Sequence, residues 1–339
     1  MAYWTQSSAS SNRPHTSTPS RPLVFIVELG LNALYPLTSS YNPDKERTVF
    51  LEHVRMAVWS AGIPECTIKK KLDNDFRTWC ITENRDDKYG FDIVSPKLLY
   101  DHRNSWILPL NRVYTAIRRT GCVPLNLWST KIHVVAHPEM SIKELKALAK
   151  TFIHHNHGFN SLAWQLRSKD VHSNAHSLVW IPNLSNLSGR RRRILDGLDS
   201  TQSVEGIAKL MNTDMSGKGH LRPWNFWPVV PAQTDPMSAP YYGGHQSTHL
   251  VEYNLAPGSA TPEDAAMWID LACLFVRGAI KHNARWPRGT AKGPDPNLFR
   301  ESDLSKFVLE QAEEAGLSAT EQARLRQRLA FLKEADTGT

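Results

Sequence analysis

Leu23-Val24-Phe25-Ile26-Val27-Glu28-Leu29 is the stretch whose reading decides the fold. It is short, continuous in apolar character and rich in β-branched and aromatic residues, which predicts a buried strand rather than a helix. Glu28 interrupts it. A carboxylate inside an apolar strand is costly unless it is paired or bound to a cation, so Glu28 becomes a candidate site residue. The plain alternative is an edge or turn position.

Working outward, residues 1–21 are rich in Ser, Thr and Pro, contain no acidic residue, and predict a disordered lead without the apolar core of a secretory signal. Downstream, a helix is expected over about 44–61, with Phe50, Val54, Met56, Ala57 and Trp59 on its apolar side. Thr78–Thr82 reads as a strand, Asn84–Gly90 as a polar turn, and Phe91–Pro96 as a second strand stopped by its proline. Asp92 alternates with apolar neighbours there, which predicts that it shares the face bearing Glu28. Lys131–Ala136 is a further strand, and Ser141-x-x-Glu144 is a capping box opening a helix through Leu145, Leu148, Ala149 and Phe152.

Residues 165–235 are polar and poor in periodicity, which predicts a long loop. Strand character returns over Thr248–Leu255. Thr261-Pro262-Glu263-Asp264 then supplies an N-cap, a first-turn proline and acidic residues for a helix to about Lys281. Pro287–Pro296 reads as a linker, and Ser318-x-x-Glu321 caps a final, charged helix expected to be peripheral. The organisation so derived is a lead over 1–21, a main domain over 22–285, and a linker with charged helices over 286–339.

The chain has 339 residues, 41% of them apolar, and a formal charge of +7. The apolar fraction suffices for a core, and the mild basic balance suits nucleotides and other anionic ligands. Cys66, Cys80, Cys122 and Cys273 are far apart and form no C-x-x-C pair, which reads as reduced thiols in an intracellular, cytoplasmic protein. No apolar run reaches the roughly 18 residues a transmembrane helix needs.

Four short motifs occur in order: Ile26-Val27-Glu28-Leu29-Gly30; Asp92-Ile93-Val94-Ser95-Pro96; Ile132-His133-Val134-Val135, with Asn126 upstream; and Val251-Glu252-Tyr253-Asn254 followed by Gly258-Ser259-Ala260-Thr261-Pro262-Glu263. Together, over about residues 23–281, they resemble the amidoligase family of glutamate–cysteine-ligase-like carboxylate–amine ligases. The resemblance implies an α+β fold, a curved and mainly antiparallel sheet forming a funnel with helices on its outer face. It implies ATP and Mg²⁺ as cofactors, a small metabolite or peptide offering a carboxylate and an amine, and a place in specialised metabolism. It further implies Glu28, Asp92 and Glu252 as metal ligands, Glu28, Asp92 and Asn126 as cofactor-binding residues, and His133, Glu252 and Asn254 as catalytic residues. The sequence departs from the pattern where Gly30 replaces a second glutamate, Val135 a second histidine, Asn254 an arginine, and Asp92 a glutamate.

Magnesium takes hard oxygen ligands and needs only one or two carboxylates beside phosphate oxygens and water. His133 would hold an anionic oxygen or act as general base; the plain alternative is a satisfied core histidine. Lys131 lies two residues before His133 in the strand and should share its face, supplying some of the charge that Asn254 lacks. His154 and His157 share a helix face but lack a third ligand at zinc spacing. Arg190–Arg193 reads as a solvated loop with phosphate, RNA or an import receptor as possible partners, and Trp224, Phe226 and Trp227 are candidates for stacking on bases. No nucleic-acid-binding module, Walker loop or G-x-S-x-G elbow is present. Two alternatives to the ligase remain open: a catalytically degenerate binding protein, following from Gly30, Val135 and Asn254, and a basic nucleic-acid-binding protein.

Overall fold

The computed structural model describes residues 21–33, 43–69, 76–83, 90–124, 130–136, 139–168, 188–212, 224–226, 229, 250–256, 258–282 and 301–334. It is an α+β fold built on one mostly antiparallel, open sheet. The deciding stretch forms its central strand, β1 (Leu23–Ala33). Helix α1 (Pro43–Ser60) follows, then β2 (Thr67–Lys69), β3 (Cys80–Glu83), β4 (Gly90–Val94) and β5 (Leu98–Leu99). Next come α2 (Arg103–Thr120), β6 (Cys122–Pro124), β7 (Thr130–Ala136) and the long α3 (Ile142–Ser168). The remainder is α4 (Ser188–Ser200), α5 (Val204–Asn212), β8 (Trp224–Asn225), β9 (Val251–Ala256), α6 (Pro262–His282), α7 (Glu301–Glu314) and α8 (Ala319–Glu334).

Among the described residues the sheet has nine strands in the order β2-β3-β4-β1-β7-β9-β8, with β5 and β6 also pairing with β1. Only β2–β3 is parallel. Alternation along the strands divides the sheet into two faces. Phe25, Val27, Leu29 and Leu31 of β1 join Ile132 and Val134 of β7 and Tyr253 of β9 in the main core. The apolar sides of the helices complete this core, with Leu145, Leu148, Ala149 and Phe152 of α3 and Trp268, Ala272, Phe275 and Ala279 of α6 all buried in it. The opposite face carries Ile26, Val94, Cys80 and Leu250, a separate small apolar cluster that includes Phe76.

The helix starts expected from sequence are built as capped termini. Ser141 and Glu144 exchange the reciprocal bonds of a capping box, Glu144 Oε2 accepting from Ser141 N at 2.8 Å and Ser141 Oγ from Glu144 N at 3.3 Å. Ser318 and Glu321 repeat the arrangement ahead of α8. Thr261 Oγ1 accepts from Asp264 N at 3.1 Å at the start of α6.

Four expectations are corrected. The buried side of α1 is Leu51, Val54 and Val58, while Met56 and Trp59 are 43% and 51% exposed; spacing of three and four residues selects the first set, and Met56 and Trp59 rotate away from it. The region 165–235 is not one loop, since α4 and α5 lie inside it, and Arg190–Arg193 fall in α4 rather than in a loop. Helix α2, which carries Pro109 within it, was not expected at all. The terminal helices are not peripheral: Leu304, Val308 and Ala312 of α7 and Leu325 and Leu329 of α8 enter the main core. The lead over 1–20, the turn over 84–89 and the linker over 287–296 lie outside the described residues. No helix of the described residues is long and apolar enough to cross a membrane.

Candidate active site

The second face of the sheet bears a band of polar side chains in register across six strands. Gly30 of β1 pairs with Asp92 of β4, and Asp92 pairs with Thr82 of β3. Glu28 pairs with Lys131 of β7, Ile26 with His133, His133 with Glu252 of β9, and Glu252 with Asn225 of β8. Paired residues of an antiparallel ladder project to the same side, so Glu28, Asp92, Lys131, His133, Glu252 and Asn225 share one face. The small apolar cluster of Ile26, Val94, Leu250 and Phe76 forms its neighbouring wall.

Most of this band is shielded from solvent. Glu28 and His133 are 7% exposed, Glu252 and Asn254 9%, and Asn225 6%. Lys131 donates to Glu28 Oε1 at 2.6 Å, and His133 Nε2 lies 3.5 Å from Glu28 Oε2. Burial by itself raises the Glu28 carboxyl, but the Lys131 charge, reinforced by His133, more than reverses this and holds it well below the usual carboxylate range. For Lys131 burial acts downward, yet the charges of Glu28, Glu252 and Asp92 together hold its ammonium well above its ordinary range. One ammonium therefore feels three carboxylates from three strands.

Sequence reasoning set Asp92 on the face of Glu28 and Lys131 on the face of His133, with Glu252 added by the family resemblance, and the pairing register brings all five to one face. Asn254, two residues beyond Glu252, is buried beside them. Asn126 lies outside the described residues. The cation shared by the carboxylates in this structure is Lys131. Among the described residues no group of three or more His, Cys, Asp or Glu is arranged to hold a metal ion. His133 is buried, its ring held by the long contact of Nε2 with Glu28 Oε2.

No protein-family model matches the chain, and no curated protein matches it. Two residues of the site escaped sequence reasoning. Asn225 donates to Glu252 Oε2 at 2.8 Å, and Asn212 donates to Asn225 Oδ1 at 2.6 Å. The available signal was a single polar residue between two aromatics, Trp224 and Phe226, in a strand-like position.

The other candidates have structural roles. Trp224 and Phe226 are 1% exposed, and Trp224 stacks on Phe275 at 5.4 Å, so neither ring is open to a base; Trp227 lies outside the described residues. Of the histidine pair His154 and His157, the His157 side chain lies outside the described residues; the neighbouring His155 is buried against Phe275 and Phe307. All four cysteines are free and buried, and burial pushes the Cys66 thiol up to about 12, far from a reactive thiolate. On the helix side, Asp270 accepts from Tyr100 Oη at 2.9 Å and from Arg103 at 2.6 and 3.0 Å, tying α2 to α6 behind the sheet.

Proposed function

We propose that this chain is an ATP- and Mg²⁺-dependent carboxylate–amine ligase, acting in the cytoplasm on a small metabolite or peptide and working from the polar face of a sheet curved into a funnel. One observation carries the reading: the pairing register sets Glu28, Asp92 and Glu252, from three separate strands, on the one sheet face where Lys131 bonds to Glu28. Such convergence on a shielded sheet face is what a charge-transfer site requires and what a fold alone does not.

The donor set suits magnesium in kind. Asp92 and Glu252 offer hard oxygen ligands, and one or two carboxylates suffice beside phosphate oxygens and water. Glu28 is engaged by Lys131 and is the weakest candidate of the three. When bound, ATP and Mg²⁺ would supply the phosphoryl group and neutralise its charge, so that ATP, carboxylate and amine become amide, ADP and phosphate. Lys131 would supply the positive charge that Asn254 does not. His133, held at Nε2 by the Glu28 carboxylate, would take at Nδ1 the proton released as the amine attacks. Glu28 would hold the imidazole and the lysine in place, and the apolar wall of Ile26, Val94 and Leu250 would limit water.

A second reading is a binding protein without catalysis. It is favoured by the Lys131–Glu28 ion pair, in which a lysine rather than a metal ion meets the carboxylate, and by the lack, among the described residues, of three or more acids or histidines arranged to hold a metal. Phosphate release on a panel of carboxylates and amines with ATP and Mg²⁺ separates the two: turnover supports the ligase, whereas saturable nucleotide binding without turnover supports the binding protein.

A further inference from the structure

We propose that Asn212 and Asn225 are positioning residues for Glu252, forming a one-way amide relay that fixes its carboxylate and leaves one oxygen for a ligand. The relay starts at a group whose role is unambiguous. The Phe226 backbone N–H can only donate, and it donates to Asn212 Oδ1 at 3.1 Å. That contact sets which end of the Asn212 amide is oxygen. Its Nδ2 then faces Asn225 and donates to Oδ1 at 2.6 Å. This sets the Asn225 amide in turn, and its Nδ2 donates to Glu252 Oε2 at 2.8 Å.

All three side chains are buried, at 3% exposure for Asn212, 6% for Asn225 and 9% for Glu252. A buried polar chain is costly unless every step is satisfied, and an apolar trio would fill the same space more simply. What the amides provide beyond filling is direction. Each amide directs one N–H towards Glu252, so Oε2 is held as an acceptor and Oε1 is the oxygen that the relay does not occupy.

The relay is anchored on both sides. Strand β8 is only two residues long and lies at the sheet edge. The Asn212 amide covers that edge by meeting both the Phe226 N–H and the Asn225 side chain. Asn212 is the last residue of α5, whose Ile207, Ala208 and Met211 are buried in the main core. The docking of α5 is thereby linked to the orientation of Glu252. The charged and titratable groups facing Glu252 from the neighbouring strands are His133 and Lys131 on β7, with Glu28 and Asp92 acting on the same lysine.

The relay rests on Glu252 being a site residue but not on ligase chemistry, and its test is independent of turnover. Full-length protein labelled with ¹⁵N-asparagine gives the Asn225 side-chain amide signal, assigned with Asn225→Ala. In Asn212→Asp, position 212 still accepts from Phe226 N–H but cannot donate to Asn225, so the Asn225 amide turns its nitrogen towards position 212 and loses its bond to Glu252. Glu252→Gln is expected to move the Asn225 amide signal in the wild-type background and to move it by less than half as much in the Asn212→Asp background. An equal movement in both backgrounds, or none in either, overturns the relay. If Asn212→Asp does not fold, Asn212→Ala serves in the same comparison, with the same two outcomes. A reduced movement in a protein that releases no phosphate keeps the relay and removes the ligase reading.

Discussion

Lys131 Nζ sits 2.6 Å from Glu28 Oε1, directly across the β1–β7 ladder. The pair is lopsided in exposure, the Glu28 side chain being 10% exposed and the Lys131 side chain 39%. Burial tolerates the glutamate only because the lysine reaches it, and the lysine in turn is held by two more carboxylates.

Lys131→Met should therefore destabilise the protein in a pH-dependent way. Removing one partner of a buried pair costs about 3–5 kcal/mol, which the partial exposure of Lys131 reduces to about 2 kcal/mol at neutral pH. Glu28 is held below its ordinary range, so its contribution is present above the unfolded value of about 4.3 and is lost as the pH falls through the lower folded value. The gap between wild type and Lys131→Met in urea unfolding should narrow from pH 7 towards pH 3. A gap that stays constant across this range would contradict the pairing.

Phe76 is a bulky residue with φ +24°, yet its ring is 4% exposed in the apolar wall of the site face. The strain of a left-handed backbone, about 1–2 kcal/mol, is offset by burial of the ring. Phe76→Ala should cost about 3–5 kcal/mol, because the ring is lost and the strain remains. Phe76→Gly should be less damaging by about 1 kcal/mol, the reverse of the usual order of alanine and glycine. Thermal unfolding of the two variants decides it.

Gly278 of α6 allows α7 to approach. A Cβ there would lie 2.6 Å from Phe307 Cζ and 3.0 Å from Gln311 Cγ. Gly278→Ala should destabilise by about 1–3 kcal/mol through overpacking, despite the better helix propensity of alanine. Faster hydrogen exchange should be confined to α7 and α8, leaving the sheet protected. Loss of protection in β1 and β7 would show instead that the terminal helices and the sheet unfold as one unit.

The strands that carry the site were legible because their patterns are local. Glu28 and Asp92 each stand out against apolar neighbours, and period two sets each opposite the core side of its own strand, while their common face comes from the β1–β4 register. The capped starts of α3, α6 and α8 were legible for the same reason, since Ser141, Thr261 and Ser318 act on residues three positions away. Helix α2 was hidden by Pro109 and by a first turn without acidic residues. Helices α4 and α5 were hidden by polar surroundings, and α5 shows its apolar side only over Ile207, Ala208 and Met211. Lys131 was half legible: its face followed from the strand, but its bond to Glu28 depends on a partner 103 residues away. The Asn212–Asn225 contact was not legible, because it forms only when the end of α5 meets the edge strand.

The most direct test of the central claim is phosphate release from ATP and Mg²⁺ by wild type and by Glu252→Gln, across a panel of carboxylates paired with amines. If the converging acids form a ligase site, wild type releases phosphate only when a carboxylate is present and forms an amide when an amine is added. Glu252→Gln should lose this activity by at least about 100-fold while keeping the wild-type circular dichroism spectrum. Equal turnover by the two proteins would remove Glu252 from the site, and no carboxylate-dependent release by wild type would contradict the ligase itself.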